Sequence, residues 1–574
     1  MVRKLNYDDF SGATRPFRAD AELDDLEVEG EIPPELNGTF YRQCYAGNTS
    51  PARDRLPGLH SPAGQVMHDP YYPRDYYKAG SKTIPFDGDG SISAFRIKDG
   101  KCAFKQRYVL TERFLAERRA GRAMFGILKT PFSHHPCVRA VQDNTANTNV
   151  IVHAGKLLAL SEQGPPYELD PKICGGGLTT GGPADTMTTL GNTPFPGQIP
   201  KGAPFTAHPH VDPKTGDLVG YGYGLKGVES KDCTVWVLDK NGKRTFERTL
   251  TMPGNGFVHD CAITDNYVVL EQMPFVADAS NVEKPGGHMW TYDASVPAWF
   301  GLVPRKDPDQ AVRWFKWKNA MPVHTGGSFE EDGKVFFDTS IAIGNAFPFL
   351  PTKKERSGES GQAVTVNYVR FKIDPQAETD QLDDPEVLVD VPCEFPRTDE
   401  RFLTRRPRYT FMDCFDPTAV ADPALLYRGL NCLARYDDET KKLEVMSPGQ
   451  GVLVQEPCFS ARGPKAAEGD GFLITLVDNM PLGRNEIIIQ DTRDFQQVVA
   501  RVILPFRAEI PAVFVCSEGS DGERGTDIKA DGLPDCVVGL RSAVHGNWVD
   551  AERIPETGPF IEPLPDMGRL YPAN

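Results

Sequence analysis

Runs of four to eight strand-forming residues, each closed by an Asn-Gly, Asp-Gly or proline turn, recur through most of the 574-residue chain. FDGDGSISAFRIKDGKCAFKQRYVLTERF alternates apolar and polar residues on both sides of a turn at Asp99-Gly100, and NTNVIVHAGKLLALSE does so around Ala154-Gly155. IPPELNGTFYRQ enters a strand through Asn37-Gly38, and CTVWVLDKNGKRTFERTLTM, KVFFDTSIA and VTVNYVRFKI continue the rhythm. FLAERRAGRAMFGIL is the clearest helix candidate, with Gly121 weakening it, and other helix-like pieces are occasional. This pattern predicts an all-β protein, and its length suits a β-propeller, where each blade protects the edges of its neighbours.

Residues 1–30 are polar and acidic and are expected to form an arm ahead of one propeller domain over 31–574. Segments near 171–202, 353–363 and 518–532 are too rich in Gly, Pro, Thr or charge for core and are expected as inserted loops. A net charge of -16 argues against nonspecific nucleic-acid binding and against adsorption to an acidic bilayer. Twelve cysteines without a CxxC pair, and no apolar run at the N-terminus, predict a cytoplasmic protein with reduced thiols. No stretch reaches eighteen continuous apolar residues, so no transmembrane segment is expected. Composition leaves peripheral membrane contact and oligomeric state open.

The segment from Phe205 to Pro213, FTAHPHVDP, puts His208 and His210 on alternate positions of an extended run. His259 in GFVHDC, His324 in PVHTGG and His545 in AVHGNW occupy similar settings, long intervals of strand apart. Ligands so far separated need a fold that gathers remote strand ends. Spacing alone does not choose four of the 11 histidines, and the adjacent His134 and His135 are poorly placed to share a target. A metal-bound imidazole needs an acceptor for its other ring N–H. Glu162, Glu394 and Glu456 each lie in apolar stretches near proline, where a glutamate needs a partner.

Several separated motifs together resemble the carotenoid cleavage oxygenase superfamily, in particular its lignostilbene and stilbenoid dioxygenase branch. They are IPPELNGTFYRQ, FDGDGSISAF, RYVLTERF, NTANTNVIVHAGKLLAL, PPYELDP, FTAHPHVDP, VHDCAIT, EFPR, Glu456-Pro457 and HGNWV. The resemblance implies a seven-bladed β-propeller with a helical and loop cap over one face. It implies His208, His259, His324 and His545 as ligands of Fe(II), with Glu162, Glu394 and Glu456 behind them. It also implies O2 as co-substrate and cleavage of a conjugated double bond of a stilbenoid or phenylpropene-type aryl alkene into two carbonyl products. The four imidazoles alone do not choose iron over zinc. The third-histidine motif departs from the family, since Thr325-Gly326-Gly327-Ser328-Phe329 stands where Asn-Ala-aromatic is usual.

In stilbene-cleaving members a tyrosine and a lysine hold the substrate phenol; motif matching puts Leu128 and Ser161 at those positions. Neither replacement can grip a phenolate in the same way. Lys129 adjoins Leu128, but neighbouring residues on an extended segment face opposite sides. An apolar or O-methylated hydrophobic conjugated substrate is therefore expected, with Phe125, Phe205, Phe257 and Phe275 as candidate pocket walls, although each, like Phe40, also reads as ordinary propeller core. Alternatives that the residues leave standing are apocarotenoid cleavage, a metal-dependent propeller hydrolase or lactonase, and a non-enzymatic binding scaffold.

Overall fold

The computed structural model describes residues 21–23, 25–46, 88–120, 124–125, 134–162, 164–171, 187–281, 289–347, 350, 364–419, 429–504 and 545–553. Seven antiparallel sheets of four or more strands form a seven-bladed β-propeller, with a separate two-stranded hairpin of Phe275–Ala277 and Trp290–Tyr292. Five blades are consecutive meanders whose first strands are Asn149–His153, His210–Val211, Val258–Ile263, Met321–Glu331 and Cys393–Thr398.

The other two blades close the ring using both ends of the chain. Gly546–Asp550 pairs with Gly38–Ala46, and Glu27–Gly30 pairs with Val498–Ile503. Each junction joins residues more than 450 positions apart, so opening the ring means breaking two sheets at once. Part of the acidic arm thus enters the propeller. Ala21–Leu23 and Glu27–Gly30 are edge strands of different blades, with Glu22 against Lys105 and Arg107 and Glu29 against Arg484. Charged residues on such edges discourage further strand addition.

The hairpin turns follow the sequence reading, whereas the turn expected at Asn37-Gly38 falls earlier, at Pro34-Glu35, and Gly38 opens the strand Gly38–Ala46. Asp99-Gly100 and Ala154-Gly155 both take positive φ at the two central positions, as tight hairpins require. The helix runs Glu112–Ala120, and Met124 and Phe125, in the second half of its sequence pattern, are not helical. Within the Gly- and Thr-rich stretch, Thr189–Gly191 is an outer strand; residues 172–186, 353–363 and 518–532 lie outside the described residues. Apolar side chains fill the spaces between blades, as where Val219, Val235, Cys261, Val268 and Met321 pack together. The eight described cysteines are all free, and no helix among the described residues is long and apolar enough to cross a membrane.

Candidate metal centre

His208, His259, His324 and His545 come from the inner strands of four blades, or the residue or two before them, and converge on the propeller axis. Each offers a ring nitrogen, and the four nitrogens lie within 4.8 Å of one another. Ring centroids are 4.4–5.1 Å apart at steep angles, so the rings point at a common centre rather than stacking.

Local irregularity produces this aim. Pairing shifts register between Val258 and Cys261, between Pro322 and Thr325, and between Glu394 and Arg397. Bulges of this kind re-aim side chains, and here one falls at His259, one at His324 and one at Glu394. Phe395, beside the last, takes a positive φ of 52°, a conformation a bulky residue holds only when its surroundings impose it. Glu456 sits in a break between two short strands, Val452–Val454 and Cys458–Ala461, that pair with the same neighbour.

Three of the histidines give Nδ1 to a glutamate: His259 to Glu162 at 2.6 Å, His324 to Glu394 at 2.6 Å and His545 to Glu456 at 3.0 Å. With those Nδ1 protons engaged, each Nε2 carries a lone pair directed inward. Nε2 of His208 and of His545 is buried without a hydrogen-bond partner, while Nε2 of His259 and Nε2 of His324 face each other at 3.3 Å. Two lone pairs at that distance repel unless a cation lies between them. Nitrogens about 2.1 Å from one ion would stand roughly 3.0–3.4 Å apart, so the donor set fits a metal. Burial, and then neighbouring imidazoles, hold His208 and His545 well below the ordinary imidazole value, leaving them in the neutral, ligating form.

The carboxylates have partners of their own. Glu162 accepts from the Tyr223 hydroxyl, Glu394 from Ser340 Oγ at 2.6 Å and from the Phe395 N–H, and Glu456 from the Gly546 N–H at 2.8 Å. Arg42 and Arg397 flank Glu456 at 3.6 and 3.2 Å. The Phe395 ring stacks on His324, centroids 4.9 Å apart. A cavity of about 110 Å³ adjoins the centre, lined by His208, His324, His545, Asp260, Arg397 and Asn547 among others.

The candidate pocket residues are scattered. Phe257 lies two residues before His259 and packs on Trp290 at 4.2 Å and on Phe275 at 4.9 Å. Phe205 stacks on Trp236 between two blades, away from that group, and Phe125 is buried against His134 and Arg113. Phe40 is propeller core. Ser161 is buried with its hydroxyl 3.2 Å from that of Thr145; Leu128 and Lys129 lie outside the described residues. The two glycines that depart from the family motif permit close packing: a Cβ at Gly326 would meet the Tyr368 hydroxyl and one at Gly327 the Pro407 ring.

Among residues that sequence reasoning passed over, Asp260 directly follows His259 in the motif VHDC, and Arg397 closes the motif EFPR. Both signals were present but had no assigned partner. Tyr223, Ser340 and Trp290 carried no signal apart from their folded neighbours. Of the other described histidines, His134 bonds to Asp143 and His153 to the Asp239 carbonyl.

Residues 14–512 match the family described as retinal pigment epithelial membrane protein. The chain is 39% identical over 553 residues to resveratrol cleavage oxygenase 1 of Botryotinia fuckeliana, covering 95% of this chain and 86% of that protein. It is 32% identical over 565 residues to lignostilbene-alpha,beta-dioxygenase isozyme III of Sphingomonas paucimobilis, covering 96% and 99%. The crystal structure of Pseudomonas brassicacearum lignostilbene dioxygenase superposes with a TM-score of 0.77 at 32% identity, over 95% of this chain and 98% of that one.

Proposed function

The chain belongs to the carotenoid cleavage oxygenase superfamily and is an iron-dependent, alkene-cleaving dioxygenase; on that premise we propose that His208, His259, His324 and His545 hold Fe(II), and that the substrate is a stilbenoid or phenylpropene-type aryl alkene. The observation that carries this reading is the meeting of four imidazoles from four blades, two with buried and unpartnered Nε2 atoms. Four neutral imidazoles would hold the ion without offsetting its charge. The chemistry a ferrous ion supplies when bound there is activation of O2 toward an electron-rich double bond. The balance is one alkene plus one O2 giving two carbonyl products, so no flavin, nicotinamide or organic reductant is required.

The protein's own side chains orient and exclude. Glu162, Glu394 and Glu456 fix the Nδ1–H tautomer of three imidazoles and hold the rings at their angles. No side chain has to move a proton in the balanced reaction. Phe257, half-buried two residues before His259 and backed by the buried Phe275 and Trp290, offers an aromatic face suited to offset packing against a planar aryl group. Phe125 and Phe205 are core positions by their packing, and we assign them no contact with substrate.

At the position where stilbene-cleaving members place a lysine, Ser161 offers only a short hydroxyl already within reach of Thr145. We therefore infer that cleavage does not depend on a free para hydroxyl. Anaerobic reconstitution with Fe(II), followed by 18O2 and a panel of para-hydroxy and para-methoxy stilbenes and phenylpropenes, tests both parts. Labelled carbonyl pairs that appear only with iron support the reaction. A strong preference for the free phenol would overturn the substrate reading, and turnover without O2 uptake would overturn the reaction.

A further inference from the structure

Three histidines of the centre have a glutamate on Nδ1; His208 has none. The carboxylate that stands nearest its Nδ1 is Asp260, with Oδ2 at 4.0 Å, buried to the same degree as Glu394 and Glu456. Asp260 lies within the bulge that turns His259 inward, and the adjoining strand is bulged at Thr325, next to His324. Bulges leave backbone N–H groups without a ladder partner. Asp260 takes two of these: Cys261 N–H donates to Oδ1 at 2.7 Å and Thr325 N–H donates to Oδ2 at 2.8 Å.

An ionised carboxylate has about four acceptor positions, two on each oxygen. Oδ1 also faces His210 Nε2 at 3.4 Å, so both of its positions are taken. Oδ2 has Thr325 N–H and one position left, on the side of His208. The Cys261 thiol lies within 4.8 Å of His210 and Asp260 as well, but it is directed at the His208 carbonyl at 3.9 Å, and three of the four Asp260 acceptor positions already face N–H groups. The cluster therefore does not read as a second metal site.

We propose that Asp260 is the positioning residue for His208: its free Oδ2 position accepts the His208 Nδ1–H when Nε2 engages the metal, completing a set of four carboxylates for four imidazoles. The gap to be closed is about 1 Å, from 4.0 Å to an ordinary hydrogen bond. The same side chain holds the backbone next to His324 and follows His259 in sequence, so one carboxylate couples three of the four ligand segments. This inference rests on the four-histidine reading of the centre.

The test is anaerobic Co(II) titration of the metal-free protein, read by visible absorption, in a double-mutant design. Asp260→Asn should weaken Co(II) binding about 10–100-fold. Combined with His208→Ala it should add less than about 3-fold, whereas combined with His545→Ala it should add its full loss. Equal losses in both backgrounds would mean a general structural role and overturn the proposal. A wild-type protein that takes up no Co(II), or a His208→Ala protein that binds it as wild type does, would instead overturn the four-histidine reading. Should Asp260→Asn not fold, 15N-histidine NMR of the wild-type Zn(II) protein decides. Four carboxylate-bound Nδ1–H signals are expected, and three would sink the idea.

Discussion

Glu394 and Glu456 do the same task on neighbouring histidines, yet their surroundings differ in charge. Glu394 is 2.6 Å from His324 and is supported by a serine hydroxyl and a backbone N–H; among the described residues no arginine or lysine reaches it. Glu456 is 3.0 Å from His545 and lies between two guanidinium groups. An unopposed carboxylate draws more strongly on the imidazole proton and makes the ring a better donor. The metal-free histidines register the difference. Burial opposes a charge on His324, but Glu394 raises it above the ordinary value; burial, His324 and then other cations including Arg397 and Arg42 hold His545 well below it. On the proposed reading Glu394 would act on its ligand through charge alone, whereas Glu456 also joins Arg42 and Arg397 from neighbouring blades.

The largest expected effect removes the comparison altogether. His324→Ala and His545→Ala should each abolish alkene cleavage and iron retention, measured as turnover and iron per chain after gel filtration. Either variant with normal iron content would end the assignment. Next, Glu394→Gln should lower iron affinity about 10–100-fold with little change in the denaturation midpoint, because no buried cation loses its partner. Glu456→Gln should behave differently. It strips Arg42 and Arg397 of their shared carboxylate, and breaking buried pairs of this kind costs about 3–5 kcal/mol. A chemical-denaturation midpoint that falls for Glu456→Gln and stays for Glu394→Gln would confirm the division of labour; the reverse order would refute it.

The contrast also marks what the chain declares in one dimension. The seven residues of the candidate centre, His208, His259, His324, His545, Glu162, Glu394 and Glu456, could be picked out because each sits in a motif that the family resemblance assigns; their apolar and proline neighbours alone did not single them out. Strands and hairpin turns were legible locally, as Ala154-Gly155 illustrates. What was not legible depends on distant partners. The bulges at His259, His324 and Glu394 arise from register against the next strand, which no single strand encodes. Arg42 reaches Glu456 across 414 positions of sequence, and the ring closures join the two ends of the chain. Phe205 shows the same limit: it lies in the first ligand motif and read both as a pocket wall and as propeller core, and its stacking on Trp236 depends on a strand that its own motif does not name.

Glu162 extends the comparison to the open side of the centre. Its side chain is 18% exposed against 1% for Glu394 and 3% for Glu456, and Ser161 precedes it. Ser161→Lys would add a cation beside Glu162, giving it the kind of neighbour that Glu456 already has. The ratio of kcat/KM for para-hydroxy over para-methoxy stilbene should rise about 10-fold, since an ammonium favours a bound phenolate by roughly 1.4 kcal/mol or more. Iron affinity should fall only a few-fold. An unchanged ratio would show that this position does not meet the para substituent.

The smallest effect is expected at Ser340, whose hydroxyl donates to Glu394 Oε1 at 2.6 Å while also lying 3.3 Å from the His324 carbonyl. Removing it in Ser340→Ala leaves a buried carboxylate short of one donor, which costs about 1–3 kcal/mol of stability. Iron affinity should change less than about 3-fold, because a hydrogen bond between neutral and charged groups is being lost on Oε1 while Oε2, the oxygen that takes His324 Nδ1, keeps the Phe395 N–H. The two readouts therefore separate what Glu394 does by its charge from what it does by its placement. A midpoint that falls while iron is retained assigns the work to charge. A loss of iron beyond 10-fold would instead make the serine hydroxyl, and not the absence of a nearby cation, the feature that distinguishes Glu394 from Glu456.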